Sequence, residues 1–114
     1  MTPRLIATVL LGIVATPMQA ADMDVSDYLS SRDSATTREY VAGLGEGMDW
    51  ANYQIQQAGG HPTFCVPKNL KLNAQNFLDI LDAERTRDPQ RNSTLMPVSG
   101  VLHRGLVRTF PCKQ

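Results

Sequence analysis

Two cysteines constrain this chain more than anything else in it. Cys65 sits in Phe64-Cys65-Val66-Pro67, and Cys112 in Phe110-Pro111-Cys112, just before the final residue Gln114. Their chemistry depends on the compartment, and the first residues of the chain bear on that. Arg4 supplies a short positive region, and Leu5 to Ala15 form an apolar run broken only by Thr8 and Gly12; Pro17 then precedes the small residues Ala20 and Ala21. A run this short does not span the ~30 Å of a bilayer core, so residues 1–20 read as a secretory signal peptide. Cleavage after Ala20 is the first expectation, with cleavage after Ala21 or no cleavage as alternatives; a buried N-terminal helix of a cytosolic protein is the competing reading. An exported chain with an even number of cysteines is expected to form disulfides, and Cys65–Cys112 is the one bond available within the chain. Pairing between chains, or two free thiols, are the alternatives.

Removing 20 residues from 114 leaves 94, which predicts a single domain over 21–114. A chain of that size buries only about two-thirds of its unfolded surface, so a cross-link matters. Chain entropy puts the contribution of a bond between positions 65 and 112 at about 4 kcal/mol, against ~5–15 kcal/mol for a typical domain. No second apolar stretch approaches membrane-spanning length, so no membrane association is expected after signal cleavage.

Charge is balanced overall, with eleven acids and eleven bases, but not along the chain. Residues 22–60 carry seven acids (Asp22, Asp24, Asp27, Asp33, Glu39, Glu46, Asp49) against Arg32 and Arg38, whereas residues 61–114 carry eight bases against four acids. Nucleic-acid binding is not expected, because no dense basic cluster exists and the compartment is wrong. Either the two halves attract one another within one domain, or an acidic face meets a basic partner.

Hydrophobic spacing predicts helices and almost no strands. A short piece over Val25 to Asp33 has Ser26 as its expected N-cap. A long helix over Ala35 to Gln57 places Tyr40, Leu44, Gly47, Met48, Ala51 and Ile55 on one face at helical spacing, and Gly59-Gly60 with Pro62 ends it. Gly43, Gly45 and Gly47 inside that helix cost about 1 kcal/mol each relative to alanine, which predicts close packing of another helix or subunit there, with a local kink as the alternative. His61 to Lys71 reads as an irregular loop. Asn73 is the expected N-cap of a helix to about Thr86 that buries Phe77, Leu78, Leu81 and Ile80. Pro97 opens a last helix to about Thr109, burying Val98, Val101, Leu102, Leu106 and Phe110. The expected fold is all-α: a small bundle of about four helices stapled by one disulfide.

Little in the chain suggests catalysis, and no enzyme activity, cofactor or metal site is expected. Cys65 with His61 or His103 has the composition of a thiol–imidazole pair, but disulfide formation is the better account of Cys65. The two histidines lack metal-ligand spacing. Asp79, Asp82 and Glu84 on one helix read as solvated surface by default. Asn92-Ser93-Thr94 matches a glycosylation acceptor. Trp50, Tyr53 and Tyr40 are candidate interface anchors, with core packing an equal explanation.

Taken in order, the segment Gly43-Leu44-Gly45-Glu46-Gly47-Met48-Asp49-Trp50-Ala51-Asn52, the glycine stop, Phe64-Cys65-Val66-Pro67, the helix through Phe77 to Leu81 and the closing Thr109-Phe110-Pro111-Cys112 resemble the Tai/Rap family of type VI secretion amidase immunity proteins. The likeness covers about residues 35–112. It implies a periplasmic helical protein, a homodimer in many members, whose partner is a cognate peptidoglycan amidase effector. Such a protein neutralises the toxin by occluding its active site. It carries no particular partner-contacting residue onto this chain. The segment before residue 35 lacks the additional cysteine of some members. The alternative is a periplasmic stress or acid chaperone of HdeA type, similar in size and single-disulfide helical design.

Overall fold

The computed structural model describes residues 12–13 and 22–113. The signal peptide expected over 1–20, apart from Gly12 and Ile13, and its cleavage site therefore lie outside the described residues. Four helices follow in order: α1 Val25–Ser31, α2 Ala35–Gln57, α3 Ala74–Arg87 and α4 Val98–Thr109. Among the described residues there is no strand, only an isolated bridge between Asp24 and Pro97. The architecture is the expected four-helix all-α domain, and a Cys65–Cys112 disulfide closes it with Cα atoms 4.9 Å apart.

Local signals set the helix ends. The N-cap of α1 is Asp24 rather than the expected Ser26: Asp24 Oδ1 accepts from the Asp27 N–H at 2.8 Å, and the Asp27 carboxylate accepts from the Asp24 N–H in return. Ser26 already lies inside the helix, where the Tyr28 N–H it would cap donates to Asp24 O at 3.0 Å; the Val25 and Ser26 N–H groups donate to the Met96 and Thr94 carbonyls at 3.0 Å each. The first turn of α1 is thus satisfied by the segment leading into α4, whose Val98 N–H donates back to Met23 O at 2.9 Å. Ser34 caps α2 and Asn73 caps α3. At the far end of α2, Gly59 takes a left-handed φ of 79°. The Gly60 and Gly59 N–H groups then donate to Ile55 O and Gln56 O at 2.9 and 3.1 Å, closing a Schellman motif.

The orientation of α2 differs from expectation. Thr37, Val41, Gly45 and Asn52 are its buried residues; Tyr40, Leu44 and Met48 are half-buried, and Gly47, Ala51 and Ile55 are exposed. Gly45 is what turns the helix: a Cβ there would lie 2.3 Å from the Phe77 ring, so the bare backbone of α2 is the surface on which that ring packs. Gly43 and Gly47 face open space, so the close packing expected of three glycines belongs to one.

The central element is α3, which packs against both α2 and α4 and buries Phe77, Leu78 and Leu81. With Val25, Tyr28, Val41, Phe64, Val98, Val101, Leu102 and Leu106 these form one core, each large apolar side chain contributing about 1.5–3 kcal/mol on burial. Polar clamps reinforce it. Asp82 of α3 accepts from the Tyr28 hydroxyl at 2.9 Å and from the Arg32 guanidinium Nε and Nη2 at 2.9 and 2.5 Å, docking α1. Glu84, only 2% exposed, accepts from Arg108 Nε at 2.9 Å, with Arg104 alongside, docking α4. Asp82 and Glu84 are therefore structural rather than solvated; only Asp79 of that trio is exposed. An unpaired buried acid would be costly, and arginines from α1 and α4 remove that penalty.

Candidate functional site beside the disulfide

Residues 61–73 have no regular structure of their own, yet Phe64 at their centre is only 1% exposed. Three groups hold this loop. Asn52, on the buried line of α2, accepts from the Thr63 N–H at 2.8 Å and donates its amide to the Phe64 carbonyl. The Cys65 N–H donates to Phe110 O at 2.7 Å, tying the loop to the end of α4 next to the disulfide. Thr63 Oγ1 lies 2.9 Å from His103 Nε2, and the His103 ring stands edge-on to Phe64. The motif residues Asn52, Phe64, Cys65 and Cys112 thus build one joint between α2, the loop and the chain end.

That joint forms one wall of a groove of about 1080 Å³. The other wall is the second half of α2, and its most prominent members are Trp50 and Tyr53. Their rings stack with centroids 5.4 Å apart, and they are 65% and 47% exposed. Two large aromatics left open on a rigid helix, with Leu70 also exposed on the loop wall, are the residue types that anchor protein interfaces. Glu46 and Asp49 line the helical wall, Lys68 and Lys113 the loop side. Gly59-Gly60 ends α2 just past this wall, and the disulfide fixes the wall opposite, so both sides of the groove are pinned.

The candidate residues of the sequence fall as follows. Cys65 and Cys112 come together as a disulfide, and no free cysteine exists, so Cys65 offers no thiol to either histidine. His61 is exposed in the loop, and His103 is engaged with Thr63 and Phe64. Tyr40 is half-buried against the core, apart from the groove-lining Trp50 and Tyr53. Asn92 is only 3% exposed; its amide nitrogen donates to Glu84 O at 2.8 Å and its oxygen accepts from Arg104. The glycosylation match therefore has no accessible nitrogen.

Perturbed titrations lie away from the groove, in the polar clamps. Burial, then the hydrogen bond to Asp82, pushes the Tyr28 hydroxyl up to about 12. Asp82 raises the Arg32 guanidinium, and Glu84 raises that of Arg108, chiefly through their hydrogen bonds. These groups hold helices together. The groove itself offers exposed aromatic surface and charges of both signs.

Among the described residues no helix is long and apolar enough to cross a membrane. Comparison with protein-family models, with curated proteins and with solved structures finds no match to this chain.

Proposed function

We propose that this chain is an exported periplasmic binding protein that neutralises a type VI secreted peptidoglycan amidase by occluding its active site. The single observation that carries the reading is the stacked, exposed Trp50–Tyr53 pair on a groove whose two walls are pinned by α2 and by the disulfide joint. Exposed aromatics on a preorganised frame lose little conformational entropy on binding, which favours tight inhibition. The likeness of the ordered motifs to the Tai/Rap family supplies the class of target. Deleting the gene should leave cells sensitive to a type VI-delivered peptidoglycan amidase of their own kind, and restoring the wild-type protein should restore survival. Full resistance of the deletion strain would remove the immunity reading.

A second reading, an acid chaperone of HdeA type, draws on one observation. Asp82 and Glu84 hold α1 and α4 onto α3 through charge-assisted bonds that protonation would weaken. Client aggregation at about pH 2–3, with and without the protein, separates the readings: protection there favours the chaperone, and none favours the inhibitor.

A further inference from the structure

The seven acids between residues 22 and 60 find no basic partner in the second half of the domain. Among the described residues the one ion pair joining the halves is Arg32–Asp82, in which the first half supplies the base. Asp33 meets only its neighbour Arg32. The attraction between halves that the charge asymmetry suggests is thus not how this domain is held. The acids of α2 remain available to something outside it.

Two of them line the same groove as the exposed ring. Glu46 lies one helical turn before Trp50 and Asp49 immediately precedes it, and all three line the same groove. Neither carboxylate makes an ion pair or a hydrogen bond among the described residues. Tyr53 stacks on the Trp50 ring, yet Trp50 is still 65% exposed. An indole face attracts a cation through its quadrupole, and carboxylates lining the same groove attract the same cation. Arginine satisfies both at once, since a planar guanidinium stacks on the ring while its N–H fork reaches the carboxylate. Lysine offers only a point charge. Lys68 and Lys113 on the loop side of the groove disfavour a uniformly basic occupant.

We infer that Trp50, Glu46 and Asp49 form a receptor for a single arginine side chain presented by a protein partner. The inference deepens the proposed binding function and rests on it for the identity of that partner, not for the chemistry of the site.

The chain has one tryptophan, so intrinsic fluorescence reports on this site alone. The test titrates the disulfide-bonded protein with acetyl-Ser-Gly-Arg-Gly-Ser-amide and with the same peptide carrying citrulline, lysine or glutamate in place of arginine. The arginine peptide should give a saturable, salt-sensitive change in Trp50 emission, with the citrulline peptide about fivefold weaker and the glutamate peptide silent. Glu46→Gln with Asp49→Asn, both at exposed positions, should weaken the arginine peptide by about fivefold and leave the citrulline peptide unchanged. Equal responses to arginine and citrulline, or no effect of the double substitution, would overturn the inference. So would a stronger response to chitotriose, or an emission change on raising protein concentration alone, which would assign the face to a sugar or to a second copy. No amidase is present in this titration, so its failure is distinct from failure of the inhibitor reading.

Discussion

Three glycines lie within five residues of α2, and the fold predicts that alanine at each has a different consequence. At Gly43 and Gly47 a Cβ would meet nothing within 4 Å. Alanine there gains helix propensity alone, about 0.5–1 kcal/mol, or a Tm rise of roughly 2–8 °C for a domain of this size. At Gly45 the same atom would sit 2.3, 2.4 and 2.5 Å from three carbons of the Phe77 ring. Ordinary contact begins near 3.4 Å, so the ring or the helix must retreat by about 1 Å. Phe77 is 1% exposed in the core with its ring against Gly45 of α2, which leaves the ring nowhere to go without moving α3. Overpacking of this kind costs about 1–3 kcal/mol, occasionally more. With contact this short the upper end applies, and a net loss of about 2 kcal/mol remains after the propensity gain. Urea unfolding of the disulfide-bonded protein measures all three, with an unchanged m-value showing that the states compared are the same. Phe77→Leu should relieve Gly45→Ala, so the double variant loses less than the sum of the singles. A Gly45→Ala protein as stable as Gly43→Ala would refute the claim that Gly45 sets the rotation of α2.

Replacing both Cys65 and Cys112 with alanine should lower stability by about 4 kcal/mol, read by urea unfolding against the oxidised protein. Asn52→Ala leaves the Thr63 N–H and the Phe64 carbonyl without their partner, a cost of about 2–3 kcal/mol, and hydrogen exchange should quicken across residues 62–66 while α3 stays protected. The Tyr28 hydroxyl holds its proton more tightly folded than unfolded. Its contribution is therefore complete below about pH 10 and fades as the pH rises toward 12, by at most about 2–3 kcal/mol. Tyr28→Phe should flatten that part of the stability–pH curve, measured by urea unfolding from pH 9 to 12.

Outside α1, whose cap is Asp24 rather than Ser26 and which ends at Ser31 rather than Asp33, element boundaries were readable because their signals are local. Ser34, Asn73 and Pro97 open helices, Gly59 with Gly60 closes one, and α2 runs over Ala35–Gln57 as the pattern requires. The facing of α2 was not readable from apolar spacing, because its buried line contains Thr37, Gly45 and Asn52, which such spacing does not count. A hint was present: a glycine and an asparagine continue the line of Val41 at helical intervals. The structural role of Asp82 and Glu84 was hidden for another reason. It depends on Arg32, Arg104 and Arg108, which belong to other elements and arrive only through the tertiary fold. Half of the candidate site followed the same division. Trp50 and Tyr53 stand off the core stripe in the sequence, whereas the loop wall needs the Asn52 clasp and the disulfide to bring Phe64 to Leu70 alongside α2.

The groove beside Trp50 and Tyr53 is proposed to seal an amidase active site. The test is inhibition of a purified type VI-delivered peptidoglycan amidase from the same cells, titrated with the oxidised wild-type domain and with Trp50→Ala. Alanine at this exposed position should leave the fold intact by circular dichroism. Wild type should abolish peptidoglycan cleavage at a stoichiometric ratio, and Trp50→Ala should inhibit at least tenfold more weakly, as loss of an interface anchor worth about 2 kcal/mol requires. An amidase that stays fully active under excess wild-type protein, or is inhibited equally by both proteins, would contradict the account.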